Sequence, residues 1–226
     1  MDPSRRAEVA RLLGEIRAEA RLTGHLTGRP ELSPRVLDAL AKVPRHLFVP
    51  REQVAFAWRN GPLPIGHGQT ISQPFIVALM TDLLEPEEEQ VVLEVGTGSG
   101  YQAAVLAHLV REVYTVEIVP ELARSAAHRL AELGYHNVHV RHGDGSRGWP
   151  EHAPYDGILV AAAAPRIPPA LVEQLKVGGR MVLPIGRPWS RQVLTLVRKG
   201  QDGSLDVREV LDVAFVPLTG EGGRRP

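Results

Sequence analysis

Cysteine is absent from the 226 residues, which excludes disulfides, thiolate metal sites and cysteine nucleophiles. Lysine is almost absent: Lys42, Lys176 and Lys199 are the only ones, so nearly all positive charge is arginine. Asn60 and Asn137 are the only asparagines. Scarce asparagine and absent cysteine fit heat adaptation, whereas scarce lysine does not, so composition leaves that question open. Neither sign of charge dominates: 26 basic and 26 acidic residues give a formal charge of zero. A mainly electrostatic grip on nucleic acid or an anionic membrane is not expected. The longest apolar run, Ile158 to Ala164, falls far short of the roughly 20 residues that span a bilayer. The first 20 residues contain no uninterrupted apolar stretch of the secretory kind. These absences predict a cytoplasmic protein with neither a nucleic-acid nor a membrane partner.

What is present begins with helices. Val9, Leu12, Leu13, Ile16 and Ala20 recur at helical spacing, with Arg and Glu on the other face. Ser33-Pro34 opens a second helix in cap-then-proline order. The stretch from Pro44 to Pro74 is rich in Pro and Gly, with a turn at Asn60-Gly61-Pro62. Gln73-Pro74 starts a third helix, Phe75 to Leu84. From Val91 onward strands and helices alternate: strands at 91–95, 112–117, 138–141, 155–162, 180–185, 192–198 and 207–216. Helices at 101–110, from Pro120 to the terminator Gly134, and at 168–175 lie between them. Such alternation makes a mostly parallel sheet covered on both faces. Only a short turn, Gly200 to Ser204, separates the last two strands, so they must pair as an antiparallel hairpin. The expectation is one domain over 1–226. It comprises a helical, substrate-side region 1–85, an α/β core 86–219 and a disordered tail 220–226.

An open parallel sheet binds its ligand beyond the carboxyl ends of its strands, where the strand order reverses. The loop after the first core strand, Gly96-Thr97-Gly98-Ser99-Gly100, lies there, and its glycines permit close backbone approach. Glu117 ends the second core strand, where a carboxylate can accept from ribose hydroxyls. Asp144, in Gly143-Asp144-Gly145, either accepts from an adenine amino group or caps a turn. The spacing is G-x-G-x-G, not the dinucleotide G-x-G-x-x-G, and Glu94 stands two residues before the first glycine. A carboxylate there repels a pyrophosphate and favours the amino group of a methionyl moiety, so S-adenosylmethionine is preferred to NAD. The loop is no hydrolase elbow, since Ser99 has Thr97 and Tyr101 where glycines are required.

The segment Ile65-Gly66-His67-Gly68-Gln69-Thr70-Ile71-Ser72-Gln73-Pro74 resembles the signature of the protein-L-isoaspartate O-methyltransferase family. The resemblance continues through Val92 to Tyr101, Gly143-Asp144-Gly145, Ala153 to Asp156, Ala161 to Pro165, Leu175 to Arg180 and Leu183 to Gly186. It closes on Phe215-Val216-Pro217-Leu218-Thr219, and so covers about residues 10 to 219. It implies a Rossmann-like class I methyltransferase with a seven-stranded sheet. The implied reaction moves a methyl group from S-adenosylmethionine to the free carboxylate of L-isoaspartyl, and D-aspartyl, residues in damaged proteins. S-adenosylhomocysteine is the other product, and the ester then collapses to a succinimide. The same resemblance implies a monomer, with Ser72 as the active residue. It implies cofactor contacts at Gln69, Thr70, Ile71, Ser72, Glu94, Gly96, Gly98, Gly100, Glu117, Ile118, Gly143, Asp144 and Thr219. Pro184, Ile185 and Gly186 match the segment that lies along the substrate peptide. Gln69 departs from the alanine of some members, which leaves its backbone as the firmer contact.

A carboxylate is already ionised at neutral pH, so its attack on a methyl group needs no catalytic base. Alignment of the reacting atoms and exclusion of water suffice. Read from sequence alone, Ser72 is also a helix N-cap ahead of Gln73-Pro74. His139 and His142 point to opposite faces of a strand, which argues against a shared metal, and His67 reads as loop packing. Trp58, Trp149 and Trp189 read as core or cleft wall. Two other functions stay open here: a methyltransferase for one particular peptide or small molecule, and an NAD-dependent oxidoreductase or binding module on the same fold.

Overall fold

The computed structural model describes residues 3–187 and 190–220. Trp189 and the tail beyond Gly220 lie outside the described residues. Three helices open the chain: α1 (Pro3–Thr27), α2 (Pro34–Lys42) and α3 (Pro74–Leu84). Between α2 and α3 the chain makes two 3-10 turns and a small hairpin, β1 (Leu63–Gly66) with β2 (Gln69–Ile71). The core follows as β3 (Val91–Val95), α4 (Tyr101–Ala107), β4 (Glu112–Glu117), α5 (Pro120–Glu132), β5 (Val138–His142) and β6 (Tyr155–Val160). It closes with α6 (Pro169–Gln174), β7 (Leu175–Gly186), β8 (Gln192–Lys199) and β9 (Leu205–Val213).

The seven core strands form one sheet in the order β5-β4-β3-β6-β7-β8-β9. The first five in that order run parallel, and β8 is antiparallel to both neighbours. The expected terminal hairpin is present. Inward-facing residues alternate as a two-sided sheet requires. Val92, Leu159 and Val182 pack with α1 to α4, whereas Leu93, Ile158 and Met181 pack with Leu171 of α6 on the other face. The strand order reverses between β4 and β6, with β3 at the switch, so the loop after β3 lies where such sheets bind ligands.

The hairpin β1–β2 replaces the irregular connection expected from its Pro and Gly content. His67 and Gly68 form its turn with φ of 52° and 68°, the positive pair a tight two-residue hairpin needs. Strand β7 begins at Leu175, earlier than its apolar pattern suggests, because Lys176 to Gly179 continue the strand through an irregularity beside β6. Helix α4 is shorter than expected and stops at Ala107.

Candidate active site

The glycine loop is built by its backbone. Gly96, Gly98 and Gly100 have φ of 91°, 52° and 89°, positive values that glycine adopts at no steric cost. Parallel pairing runs on past the strand ends: Gly96 N–H donates to Val116 O at 2.9 Å, and Ala161 N–H to Val95 O at 2.8 Å. Arg129 of α5 fixes the far side of the loop by donating to Ser99 O at 2.8 Å. Gly100 caps α4 against Leu130 and Ala126.

A cavity opens above this loop. Its walls include Gln69, Thr70, Ile71 and Ser72 from the hairpin and its exit, and Gly96, Thr97, Gly98 and Ser99 from the loop. Glu117, Ile118 and Thr219 complete the set of expected residues that line it. Among the described residues one carboxylate, that of Glu117, faces this cavity, and no Lys, Arg or His lines it. Glu117 is 5% exposed; its Oε2 accepts from Gly98 N–H at 2.8 Å and its Oε1 from Val119 N–H at 2.9 Å. A carboxylate offers about four acceptor positions, so capacity remains on both oxygens. Residues with no sequence signal of their own also contribute, among them Val77 and Met80 of α3, which read only as core.

Several expected residues do not line this cavity. Glu94 is 0% exposed and lies under the loop, beside its register partner Thr115 in β4. Its Oε2 accepts from Thr115 Oγ1 at 2.5 Å, and Thr115 Oγ1 is 2.6 Å from Thr97 Oγ1. Glu94 Oε1 has no partner. Burial pushes the Glu94 carboxyl up to about 8, the Thr115 hydrogen bond opposing and the Glu117 charge adding to the rise. Gly143 and Asp144 line a neighbouring cleft that shares Val116 with the main cavity. Asp144 caps the turn after it, accepting from Ser146 N–H at 2.9 Å and from Ser146 Oγ at 2.7 Å. Pro184 to Gly186 are held on both edges, by β8 and by Ala164, whose N–H donates to Pro184 O at 3.0 Å. Gly186 N–H donates back to Ala164 O at 2.9 Å. A peptide therefore cannot add to this segment as a further strand.

The N-cap of α3 is Gln73, not Ser72; its own side chain makes no cap bond, and Asn60 Oδ1 accepts from Phe75 N–H at 3.0 Å instead. The Ser72 hydroxyl makes no hydrogen bond among the described residues, whereas its carbonyl accepts from Arg45 Nη2 at 2.9 Å. A second cavity, walled by Glu19, Ile76 and residues 211–216, meets the first at Thr70, Ser72, Ala161 and Val216. Ser72 thus lies on the wall common to both. The segment after β9 that separates them is clamped by Gln192, whose Oε1 accepts from Phe215 N–H at 2.6 Å and whose Nε2 donates to Phe215 O at 3.1 Å. Elsewhere, His139 pairs with Glu112 at 2.7 Å and His142 Nε2 lies 3.2 Å from Ile118 O. Trp58 is buried against His46, and Trp149 packs on Tyr114.

A mostly parallel sheet with its glycine loop at the strand-order reversal, and a buried carboxylate closing the next strand, defines a class I methyltransferase fold. Residues 22–223 match the family described as protein-L-isoaspartate(D-aspartate) O-methyltransferase. The chain is 60% identical over 210 residues to protein-L-isoaspartate O-methyltransferase 2 of Polaromonas sp., covering 93% of this chain and 100% of that protein. It is 58% identical over 211 residues to the protein of the same name from Syntrophobacter fumaroxidans, covering 93% and 85%. A solved protein-L-isoaspartate O-methyltransferase superposes with a TM-score of 0.81 at 28% identity, covering 93% of this chain and 67% of that one. A Plasmodium falciparum structure in complex with S-adenosyl-L-homocysteine shares the fold, with a TM-score of 0.75 at 23% identity over 92% and 96%.

The chain belongs to the protein-L-isoaspartate (D-aspartate) O-methyltransferase family. It is an S-adenosylmethionine-dependent enzyme that methylates isoaspartyl carboxylates in protein repair. No helix among the described residues is long and apolar enough to cross a membrane.

Proposed function

We propose that the first cavity holds S-adenosylmethionine, that the second holds the damaged peptide, and that Ser72 presents the peptide carboxylate where the two meet. The shared wall at Ser72 carries this reading. The lining also fits the cofactor: among the described residues a single carboxylate and no cationic side chain suit a phosphate-free cationic nucleoside and offer a pyrophosphate no counter-charge. When bound, S-adenosylmethionine supplies an electrophilic methyl group on a sulfonium.

Glu117 accepts from the ribose hydroxyls, Gly96 and Gly98 give that ligand room, and Gly100, which does not line the cavity, shapes the loop by packing against Leu130 and Ala126. Gln69, Thr70, Ile71, Ile118 and Thr219 close around it, and Gly143 and Asp144 flank its adenine side. Glu94 supports the loop from below through Thr115 and Thr97. The Ser72 hydroxyl, without a partner among the described residues, donates to one carboxylate oxygen and leaves the other aimed at the methyl group. Holding the reacting atoms in line is the main source of rate, and no side chain needs to move a proton, since the attacking carboxylate is already ionised. The peptide lies along Ile76 and residues 211–216, and Pro184 to Gly186, with both backbone edges occupied, meet it without strand pairing. In this reading a helical region, residues 1–85, and a core, residues 86–219, make a single domain, and both regions wall both cavities. The enzyme works as a cytoplasmic monomer on L-isoaspartyl and D-aspartyl residues, without a nucleic-acid partner.

Ser72→Ala tests the placement. Turnover on an isoaspartyl peptide should fall about 10- to 100-fold, the loss of one positioned hydrogen bond to a charged group. Calorimetric affinity for S-adenosylhomocysteine should change little, and NADH should not compete for the cavity. Unchanged turnover returns Ser72 to a purely structural place, and tight NADH binding overturns the cofactor assignment.

A further inference from the structure

Arg45, in the turn after α2, is 0% exposed. Its Nε donates to Ala57 O at 3.0 Å, and its Nη2 to Gly61 O at 3.3 Å and Ser72 O at 2.9 Å. Its guanidinium carbon lies 4.8 Å from the centre of the Tyr101 ring, and Tyr101 lines the cofactor cavity. Nη1 has no partner, and no acidic side chain pairs with Arg45 among the described residues. Burial lowers its tendency to hold the proton, opposed by the charge and hydrogen-bonding influence of the Tyr101 hydroxyl. A guanidinium nevertheless stays charged in proteins. A buried charge without a counter-ion is strongly disfavoured, and three carbonyl oxygens relieve that only in part. The arrangement lacks one thing, an anion, and the substrate of this enzyme brings one.

We propose that the buried guanidinium of Arg45 is the counter-charge for the substrate carboxylate, acting across the Ser72 peptide group to which it is bonded. This rests on the carboxylate docking at Ser72, as proposed above. Nη1 is shielded from solvent, so Arg45 makes no direct contact and is a positioning residue. It fixes the Ser72 backbone and sets a positive potential where water is excluded. The same charge disfavours the neutral ester product relative to the ionised substrate, which assists release after transfer.

Two peptides separate this role from a structural one: an L-isoaspartyl peptide, and its twin with the carboxylate replaced by a carboxamide. Their affinities are measured in the presence of S-adenosylhomocysteine. Wild type should prefer the carboxylate. That preference should persist at about 0.5 M salt, where screening acts within roughly 4 Å in solvent and hardly on buried charges. Arg45→Met should lose about ten-fold of the preference, the scale of one charge pair at intermediate dielectric, while affinity for the carboxamide twin holds. Arg45→Lys should keep most of it.

An Arg45→Met enzyme with undiminished preference overturns the proposal. So does a wild-type preference that vanishes with salt, which would place the attracting charge at the surface. If Arg45→Met does not fold, Arg45→Lys and the salt series decide alone. A wild type that prefers the carboxylate while Ser72→Ala turns over normally contradicts the docking reading instead, so the two failures are told apart.

Discussion

Glu94 and Ser72 show how far a residue's type can mislead about its place. The acid before the glycine loop suggests a carboxylate facing the ligand, yet it lies beneath the loop with Thr115 and Thr97 above it. Ser72 before Gln-Pro suggests a cap, yet the cap position falls one residue later. Glu94 also makes stability depend on pH. Its folded value, about 8, lies above the ordinary 4.5, so between those values the folded chain keeps a proton that the unfolded chain has released. Stability then falls as pH rises through that window and levels off above it. Glu94→Gln removes the titration. Its melting temperature should exceed that of wild type by a few degrees at pH 8 and match it near pH 5. Parallel curves at all pH values would mean that Glu94 is already ionised in the folded protein.

At the scale of elements, the segment joining β9 to the cavity walls is held by a few bonds. Ala163 N–H donates to Val216 O and Leu218 N–H to Ala163 O, both at 2.8 Å, and Gln192 supplies the side-chain clamp on Phe215. Gln192→Ala should lower stability by about 1–3 kcal/mol, the cost of unpaired buried groups. It should also weaken S-adenosylhomocysteine binding, because the same segment walls the cavity; urea melts and calorimetry check both. Unchanged affinity would mean that the Ala163 pairing suffices.

The strands that carry the loop were legible in the sequence. Apolar runs bounded by Gly and charged residues mark β3 and β4 at their observed limits. The β1–β2 hairpin was not, because three- and four-residue strands holding Pro64 and Gly66 are too short for alternation to show. Its turn uses His67 at positive φ, without the usual Asn-Gly or Asp-Gly signal. Val77 and Met80 were hidden for another reason: a helix apolar on most sides looks like core whether or not one face meets a ligand.

For the whole molecule, the sheet provides the cavity floor and the N-terminal helices with the hairpin provide its lid side. Apolar residues of α1 and α2 share one cluster with Val92, Leu159 and Val182 of the sheet, so the regions that wall the two cavities are packed together. In the proposed reading chemistry follows from placement: the cofactor cavity and the peptide cavity meet at Ser72, whose hydroxyl makes no hydrogen bond among the described residues. The most direct test is transfer of labelled methyl from S-adenosylmethionine to an L-isoaspartyl peptide and to its normal aspartyl twin. Labelling of the isoaspartyl peptide alone, as a base-labile ester, is the predicted result. Equal labelling of both peptides, or of neither, would contradict the account.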